Sequence, residues 1–265
     1  MSTANTLKRM ISVFLMTVCL LTAATIRAEG VSETTAADGG TKPEDFRTVG
    51  NIVTFGHYEQ DNDMANGPEA IEWIVLDVQG DKALLLSRYG LDSKRYNERY
   101  QAITWENCTL RKWLNEEFLN TAFDGKEQAA ILLTEVENSP EQGNSEWAHV
   151  ESGNNTQDRV FLLSCAEANR YLDVTPKSTD NVQARVVPTA YAIARGAWTH
   201  YKHVAADGSF AGRWWLRSPG RYEYRAAHVI GDGSLKNTHV SADKDHYGAG
   251  CVRPAIWLDL KADNF

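Results

Sequence analysis

Two phrases near the end of the chain decide the fold: RWWLRSPG at Arg213–Gly220 and GCVRPAIWLDL at Gly250–Leu260. Both are rich in aromatic and branched apolar residues. Pro-Gly ends the first and a Gly-rich stretch precedes the second, so each is predicted to be a short strand. Between them, GDGS at Gly231–Ser234 is a turn flanked by two runs that carry apolar residues, which predicts a hairpin. We expect the sheet of these strands to form the core.

Residues 1–28 have the pattern of a secretory signal peptide. Lys8 and Arg9 form a positive n-region, residues 10–25 form an uncharged apolar h-region, and Ala28 is the small residue expected at a cleavage site. The apolar run is shorter than the roughly 20 residues of a membrane-spanning helix. We therefore expect a secreted or cell-surface protein with no membrane span after cleavage; a retained N-terminal anchor is the alternative.

Composition predicts one acidic domain behind a leader. Residues 29–48 are rich in Thr, Ala, Gly and acidic residues and are predicted to be a flexible leader, which leaves residues 49–262 for a single domain. The formal charge of the chain is −8, and loss of the three basic residues of the signal leaves 24 basic against 35 acidic residues, a net charge of −11. Nucleic-acid binding requires a basic patch, so no nucleic-acid partner is expected.

Cysteine usage does not indicate a disulfide framework. Cys108, Cys165 and Cys251 follow the signal, whereas an exported domain held by disulfides usually carries a denser, even set. We interpret the three as small apolar residues in or near the core.

The first part of the domain is predicted to be an antiparallel meander with strands at 51–57, 71–78 and 82–88. Its first loop, 59–69, carries oxygen donors of the kind that calcium prefers: Asp61, Asn62, Asp63, Asn66 and Glu69. Gly67 falls one position late for an EF-hand and the flanks are strands. We therefore interpret this loop as a polar hairpin connection and assign no metal.

The middle of the chain is predicted to be helical, with a long loop. An apolar face at Leu110, Trp113, Leu114 and Phe118 predicts a helix with Asn107 as its N-cap. Capping boxes at 124–127 and 164–167 predict two more helices, and Pro188 is predicted to open another that runs to Arg195. Residues 138–158 are polar and irregular and are predicted to be a long exposed loop.

Taken in order, several motifs resemble a known family. They are FGHYEQD at 55–61, IEW at 71–73, LRKWLN at 110–115, WLRSPG at 215–220 and VRPAIWL at 252–258. The chain resembles an uncharacterised family of bacterial extracellular domains of unknown function. That family is similar to the C-type lectin-like fold, which also occurs in formylglycine-generating enzymes and in the variable receptors of diversity-generating retroelements.

The resemblance implies an α+β, C-type lectin-like domain. Its terminal strands would share one antiparallel sheet, two or more helices would pack on that sheet, and a long loop region would carry a second small sheet. Ligands of this fold usually sit at the loop region, which maps onto 220–247 here. Aromatic rings and paired polar groups suit sugars, and they suit protein partners equally. The predicted ligand-binding residues are Arg221, Tyr222, Tyr224, Arg225, Asp232, Asp243, Asp245 and Tyr247.

Two arginines and two histidines are further candidates for a ligand or metal site. Arg217 and Arg253 lie in apolar strands and are predicted to pair with carboxylates or carbonyls of the fold. His200 and His203 have a spacing that two metal-binding imidazoles could use, but no third ligand is marked by spacing. The calcium-dependent sugar signatures EPN or QPD with WND are absent from the sequence, as are a serine nucleophile elbow and a phosphate-binding loop.

The sequence therefore predicts an exported, non-catalytic domain that binds a glycan or an extracellular protein through its late loops, with no cofactor. One alternative is an oxidase related to formylglycine-generating enzymes. Those enzymes use two closely spaced late cysteines, of which this chain has only Cys251. The other alternative is a structural module of the cell envelope.

Overall fold

The computed structural model describes residues 41–205, 207–241 and 250–262. In chain order, its strands are β1 (Ile52–Tyr58), β2 (Glu69–Gln79), β3 (Lys82–Ser87), β4 (Asp92–Lys94), β5 (Thr134–Val136), β6 (Thr156–Asp158), β7 (Val160–Phe161), β8 (Thr199–Val204), β9 (Phe210–Gly212), β10 (Trp214–Pro219), β11 (Arg225–Val229), β12 (Leu235–His239), β13 (Gly250–Val252) and β14 (Ala255–Asp259). The α-helices are α1 (Thr109–Trp113), α2 (Leu119–Ala122), α3 (Gly125–Ala130), α4 (Cys165–Leu172) and α5 (Ala190–Ala194). The architecture is α+β, with mostly antiparallel sheets and few helices.

The first sheet contains the predicted meander. Its five strands follow the order β1-β2-β3-β14-β7, and all its pairs are antiparallel. Ile71, Trp73 and Val75 alternate along β2, and all three are fully buried, as expected for one face of a strand. The first and last strands of the domain thus belong to one sheet, in agreement with the sequence prediction.

The second sheet is as large as the first, which corrects the expectation of a small one. Its order is β12-β11-β10-β13-β4, and β10 pairs with β13 in parallel. The predicted hairpin is confirmed as β11–β12. Its turn closes through a hydrogen bond from Ile230 N to Ser234 O (3.0 Å), and Gly233 occupies a left-handed conformation with φ +86°.

The phrase Gly250–Leu260 does not form one strand, which is a second correction. Cys251 pairs with Trp214 and Ser93 in the second sheet, whereas Ala255 pairs with Leu86 and Phe161 in the first. The chain passes from one sheet to the other between these residues, at Arg253 and Pro254. Because proline has no N–H to donate to a ladder, it interrupts the pairing there.

The helices follow the predicted pattern with two corrections at their starts. Leu110, Leu114 and Phe118 are buried along α1 and the π-helical turn Leu114–Phe118 that joins it to α2. The N-cap of α1 is Cys108, whose Sγ accepts a hydrogen bond from Arg111 N (3.4 Å), and not Asn107. Helix α5 begins at Ala190 behind the N-cap Thr189, not at Pro188.

Both predicted capping boxes are present. Asp124 accepts hydrogen bonds from the backbone N–H groups at the start of α3, and Glu127 reaches back to the Asp124 N–H (2.8 Å). Ser164 and Glu167 make the same reciprocal pair at the start of α4. These contacts satisfy N–H groups that the first helical turn leaves without partners.

Two regions predicted to be irregular contain short elements. In the last part of the predicted leader, Pro43–Arg47 forms a 3-10 helix and Phe46 is 1% exposed in the core. Residues 138–158 include 3-10 helices at Pro140–Gln142 and Ser145–Trp147 before strand β6. Trp147 is buried, which anchors this long segment to the domain.

The buried arginines have different environments. Arg217 pairs with the Glu167 carboxylate and donates to Leu162 O (2.8 Å) and Glu137 O (3.0 Å), which confirms its predicted structural pairing. Arg253 donates from Nε to Ser87 O (2.9 Å) and has no ion-pair partner in the part of the chain that the structure describes. Within that same part, no helix combines the length and apolar character needed to cross a membrane.

Candidate functional site: a tyrosine surface beside an acidic cleft

The loop between β10 and β11 is a closed turn with a defined backbone. Arg225 N donates to Tyr222 O (2.8 Å), and Gly220 N donates to Arg225 O (2.8 Å). A Cβ at Gly220 would lie 2.7 Å from Asn237 Cβ and 2.9 Å from Arg225 Cβ, closer than side chains can approach. The glycine that ends the WLRSPG phrase therefore allows this loop to close against β12.

Three tyrosines and a histidine meet at this loop and form what we call the tyrosine surface: Tyr100, Tyr222, Tyr224 and His239. The rings of Tyr222 and Tyr224 are stacked, with centroids 5.5 Å apart and an interplanar angle of 9°. The centroid of the Tyr100 ring lies 5.3 Å from that of Tyr224 and 5.1 Å from that of His239. Tyr100 is 58% exposed and Tyr222 is 43% exposed, so both side chains are accessible to solvent.

Two arginines border the tyrosine surface. The Arg225 guanidinium lies 5.1 Å from the centre of the Tyr222 ring and donates to Asn237 Oδ1 (3.2 Å). Arg221 lies over the same ring at 6.0 Å. These cation–π contacts and the hydrogen bond hold Tyr222 in place.

An acidic cleft of about 400 Å³ lies beside the tyrosine surface. Ile103 N donates to Glu223 O (3.0 Å), which joins the cleft wall to the residue between the two stacked tyrosines. Thr104 Oγ1 is buried there, without a hydrogen-bond partner in the described ranges. The lining is Ala102, Ile103, Thr104, Glu106, Asn107, Glu151, Gly153, Asn154 and Glu223.

Part of the cleft wall is already ordered by hydrogen bonds. The Glu106 carboxylate accepts from the Asn154 backbone N–H (3.3 Å) and from its side-chain amide (3.1 and 3.2 Å). Glu151 and Gly153 also line a second depression of about 360 Å³ along the 138–153 segment. The two depressions adjoin, so the polar lining continues from Glu223 into the long loop.

The structure brings together only part of the predicted ligand-binding set. Arg221, Tyr222, Tyr224 and Arg225 share one loop, as predicted. Asp232 lies at the opposite end of the β11–β12 hairpin, where its Oδ1 accepts from Ser234 N (2.8 Å) and stabilises the turn. Three further predicted residues, Asp243, Asp245 and Tyr247, lie outside the described residues.

The sequence analysis did not connect Tyr100, His239, Glu106 and Glu151 with this loop. Tyr100 is more than a hundred positions before Tyr222, and no local pattern marks their contact. The pairing of Arg225 with His239 in the β11–β12 ladder brings that histidine to the same edge. Of these residues, only His239 could have been placed near the loop from the sequence, because the predicted hairpin puts it opposite Arg225.

The two histidines considered as metal ligands do contact each other. The ring centroids of His200 and His203 are 4.9 Å apart on β8. Burial lowers the pKa of His203, and the positive charge of His200 also lowers it, while Asp232 opposes the change. Within the described ranges, no third acidic, cysteine or histidine side chain completes a cluster around them.

The cysteines do not form a reactive pair in the described part of the chain. Cys108, Cys165 and Cys251 are unpaired and buried. Burial raises the pKa of each thiol to about 12, so all three are protonated at neutral pH. A cysteine oxidase would require an accessible thiolate.

The chain matches the family model for the domain of unknown function DUF6273 over residues 80–260. It belongs to this family. No curated protein matches the DUF6273 protein, and no solved structure does.

The part of the DUF6273 protein that matches the family contains the whole tyrosine surface and the acidic cleft, from Tyr100 to His239. It also contains Gly220, which the closed loop requires. Strands β1 and β2 and the loop between them precede the match. The candidate site is thus built from residues of the family domain.

Proposed function

We propose that this protein is an exported, non-catalytic domain that binds a glycan through the tyrosine surface and the adjacent acidic cleft. The observation that carries the proposal is the set of exposed tyrosine rings held by a closed, hydrogen-bonded turn beside a polar cleft. Pre-ordered rings reduce the conformational entropy that binding would otherwise remove.

The aromatic part of the site suits a sugar ring. One face of many sugars presents C–H groups, and these pack on the flat face of an aromatic side chain. Tyr100, which is 58% exposed, is the ring best placed to offer such a face. Tyr222 is 43% exposed, with Tyr224 stacked on its ring and Arg221 and Arg225 over it, so a sugar would meet the exposed part of that cluster. The tyrosine hydroxyls provide polar ends to the same rings.

The polar part of the site suits sugar hydroxyl groups. Carboxylates accept hydrogen bonds from two adjacent hydroxyls, and amides both donate and accept. Glu151, Glu223 and Asn107 line the cleft within the same depression. A saccharide lying over the tyrosines and reaching into the cleft would meet both kinds of group, as binding sites for small polar ligands require.

The finer fold assignment is part of the same proposal. A C-type lectin-like fold is supported by β1 and β14 belonging to one sheet and by the long loop region between them. An experimental structure would test it by superposition on lectin-like domains. An alignment in which these strands do not correspond to the terminal strands of the lectin-like fold would reject the assignment.

Glycan-array binding by the full-length protein tests the function. Tyr222→Ala and Tyr224→Ala should each weaken binding about fivefold or more, since stacking of a ring on an aromatic side chain is worth about 1 kcal/mol or more. Tyr201→Ala is the matched control because Tyr201 is 66% exposed on β8, outside the tyrosine surface.

The outcomes separate the alternatives. Binding that is lost in both tyrosine variants and retained in Tyr201→Ala supports the glycan site. Glycan binding that both variants retain would place the site elsewhere. If no glycan binds and the protein captures an extracellular protein in a way that depends on Tyr222, the ligand is a protein partner and not a glycan.

Fractionation of cells tests export. It should find the protein outside the cytoplasm, and retention in the cytoplasm would contradict export.

A further inference from the structure

The geometry points to a divalent-cation site, filled by calcium, in the β1–β2 hairpin loop, with Glu59, Asp61 and Glu69 as carboxylate ligands. One oxygen of each of the three side chains lies within 4.8 Å of the others. The site is separate from the tyrosine surface and precedes the part of the chain that matches the family.

Strand pairing, and not the order of residues in the loop, creates this cluster. Tyr58 at the end of β1 pairs with Glu69 at the start of β2. Glu59, the next residue after Tyr58, therefore enters the loop beside Glu69. Asn62 adopts a left-handed conformation with φ 67°, and the chain turns back there so that Asp61 joins the pair.

Glu59 differs from an ordinary surface carboxylate because it is buried. Glu59 is only 7% exposed, and its Oε1 is buried with no hydrogen-bond partner among the residues that the structure describes. A buried carboxylate oxygen without a donor is unfavourable, and native structures rarely leave one. No lysine or arginine of the described residues forms an ion pair with any of the three carboxylates.

The three carboxylates repel one another, because one oxygen of each lies within 4.8 Å of the others. A cation among the three carboxylates would remove the repulsion and give Glu59 Oε1 a partner.

The other two carboxylates are held in place by neutral donors. Glu69 Oε2 accepts from Gln60 N (2.7 Å) and Asp61 N (3.3 Å). Asp61 accepts from Asp63 N (2.7 Å) and from Asn66 Nδ2 (2.7 Å). Such contacts orient metal ligands without neutralising them. Because Glu69 Oε2 already accepts two hydrogen bonds, an ion would bind Glu69 through Oε1, whereas each Asp61 oxygen accepts only one of these bonds and keeps a lone pair.

The size and chemistry of the cluster favour calcium. Calcium binds oxygen ligands at about 2.3–2.6 Å, so ligands on opposite sides of the ion are about 5 Å apart. The three carboxylate oxygens lie within 4.8 Å of one another, so all three can belong to one such shell. Magnesium requires shorter bonds in a near-ideal octahedron, which an irregular hairpin loop is less suited to supply.

The arrangement explains why the EF-hand pattern does not describe this loop. An EF-hand uses ligands at fixed positions of one loop, and this loop does not fit that register. Asp63, which the pattern would include, instead accepts a hydrogen bond from Ala65 N (3.1 Å).

The loop also contacts helix α5, because Tyr191 N donates to Gln60 O (2.9 Å). Calcium at this cluster would order the contact between the hairpin and α5.

Calorimetric titration of the metal-free full-length protein with calcium chloride tests the inference. One site with a dissociation constant on the order of 10⁻⁴ to 10⁻³ M is expected, as in extracellular calcium modules. Glu59→Gln and Glu69→Gln should each weaken binding at least about tenfold, the effect of losing one charged ligand. Asp63→Asn is the matched control, since it removes a charge from the same loop without removing a ligand, and should bind within about twofold of the wild type.

Thermal unfolding provides a second measurement that is independent of the heat of binding. When a chelator removes calcium, Glu59→Gln should unfold at a higher temperature than the wild type, because the substitution removes a buried negative charge that the neighbouring carboxylates repel. Calcium should raise the unfolding temperature of the wild type and of Asp63→Asn but not that of Glu59→Gln. If a variant fails to fold, the titration of the wild type still decides.

Two results would overturn the inference. The first is no heat and no thermal shift for the wild type with calcium in the millimolar range, which would mean that the three carboxylates do not hold calcium. The second is calcium binding that Glu59→Gln and Glu69→Gln leave unchanged, which would place the ion elsewhere. Tighter binding of magnesium than of calcium would reject calcium as the ion.

Discussion

The guanidinium of Arg253 lies 5.0 Å from the centre of the Trp214 ring, and both side chains are buried. This contact links the two phrases that define the fold, because Trp214 begins β10 and Arg253 lies between β13 and β14. Burial lowers the pKa of Arg253 to about 9, so it remains charged at neutral pH. The aromatic ring is one of its few compensating contacts, since Nη1 has no hydrogen-bond partner among the described residues.

The two buried arginines should respond differently to replacement by methionine. Arg217→Met would leave the Glu167 carboxylate and the carbonyls of Leu162 and Glu137 without their donor. Breaking such a buried pair lowers the free energy of unfolding by about 3–5 kcal/mol. Arg253→Met leaves one carbonyl, Ser87 O, without its donor and removes a charge that has no carboxylate partner, so we expect a loss below about 2 kcal/mol. Chemical denaturation measures both, and equal losses would contradict the difference.

Gly220 should not tolerate a side chain. A Cβ there would overlap Asn237 and Arg225, so Gly220→Ala should destabilise the domain by about 1–3 kcal/mol and disturb the loop that carries Tyr222. Gly125→Ala is the control, because nothing lies within 4 Å of a Cβ at that position in α3. That change should be neutral or stabilising by up to about 1 kcal/mol. A stable Gly220→Ala protein would show that the loop relaxes easily.

Asp158 is predicted to hold the wall behind the acidic cleft. Its carboxylate is fully buried and accepts from Arg111 Nε (2.7 Å) and Trp105 Nε1 (3.0 Å). Asp158→Asn should lower the free energy of unfolding by about 3–5 kcal/mol, because it leaves Arg111 without its counter-charge. Glu116→Gln, which removes an exposed pair with Lys112, should change it by less than about 0.5 kcal/mol. Thermal melts of both variants check this.

The cysteines should make the fold less stable in alkali. Their thiols have a pKa of about 9 when unfolded and about 12 when folded, so the unfolded state loses its protons first. Stability is therefore complete below about pH 9 and declines toward pH 12, by up to about 1.4 kcal/mol per pH unit for each thiol. Denaturation at pH 8 and pH 10 should show a shallower decline in Cys165→Ala.

The same burial predicts chemical inertness. At pH 8 in the native protein, Cys108, Cys165 and Cys251 should not react with iodoacetamide, and all three should react after unfolding. Peptide mapping by mass spectrometry identifies which thiols are modified. A native thiol that reacts rapidly would favour the alternative of a cysteine-dependent oxidase.

The elements that the sequence by itself determined are those with local causes. Capping residues act within one helical turn, so the boxes at Asp124 and Ser164 were readable from residues three positions apart. Alternation along β2 and the turn at Gly233 likewise depend on neighbours in the chain. The cap of α1 was misassigned because Cys108 is an unusual N-cap residue.

Only the tertiary structure decided which distant segments meet. The phrase Gly250–Leu260 divides between two sheets because its partners, β4 and β3, come from elsewhere in the chain. The Tyr100 ring contacts the Tyr224 ring, and the Glu59 carboxylate lies close to that of Glu69. Both contacts depend on how strands and loops are placed, which the hydrophobic periodicity of the sequence does not show. Local preferences depend on neighbouring residues, whereas a binding site depends on long-range packing. The sequence therefore indicated the oxygen donors of the 59–69 loop and the aromatic residues of the 221–225 loop, but the placement of Glu59 beside Glu69 and of Tyr100 beside Tyr224 required the assembled sheets.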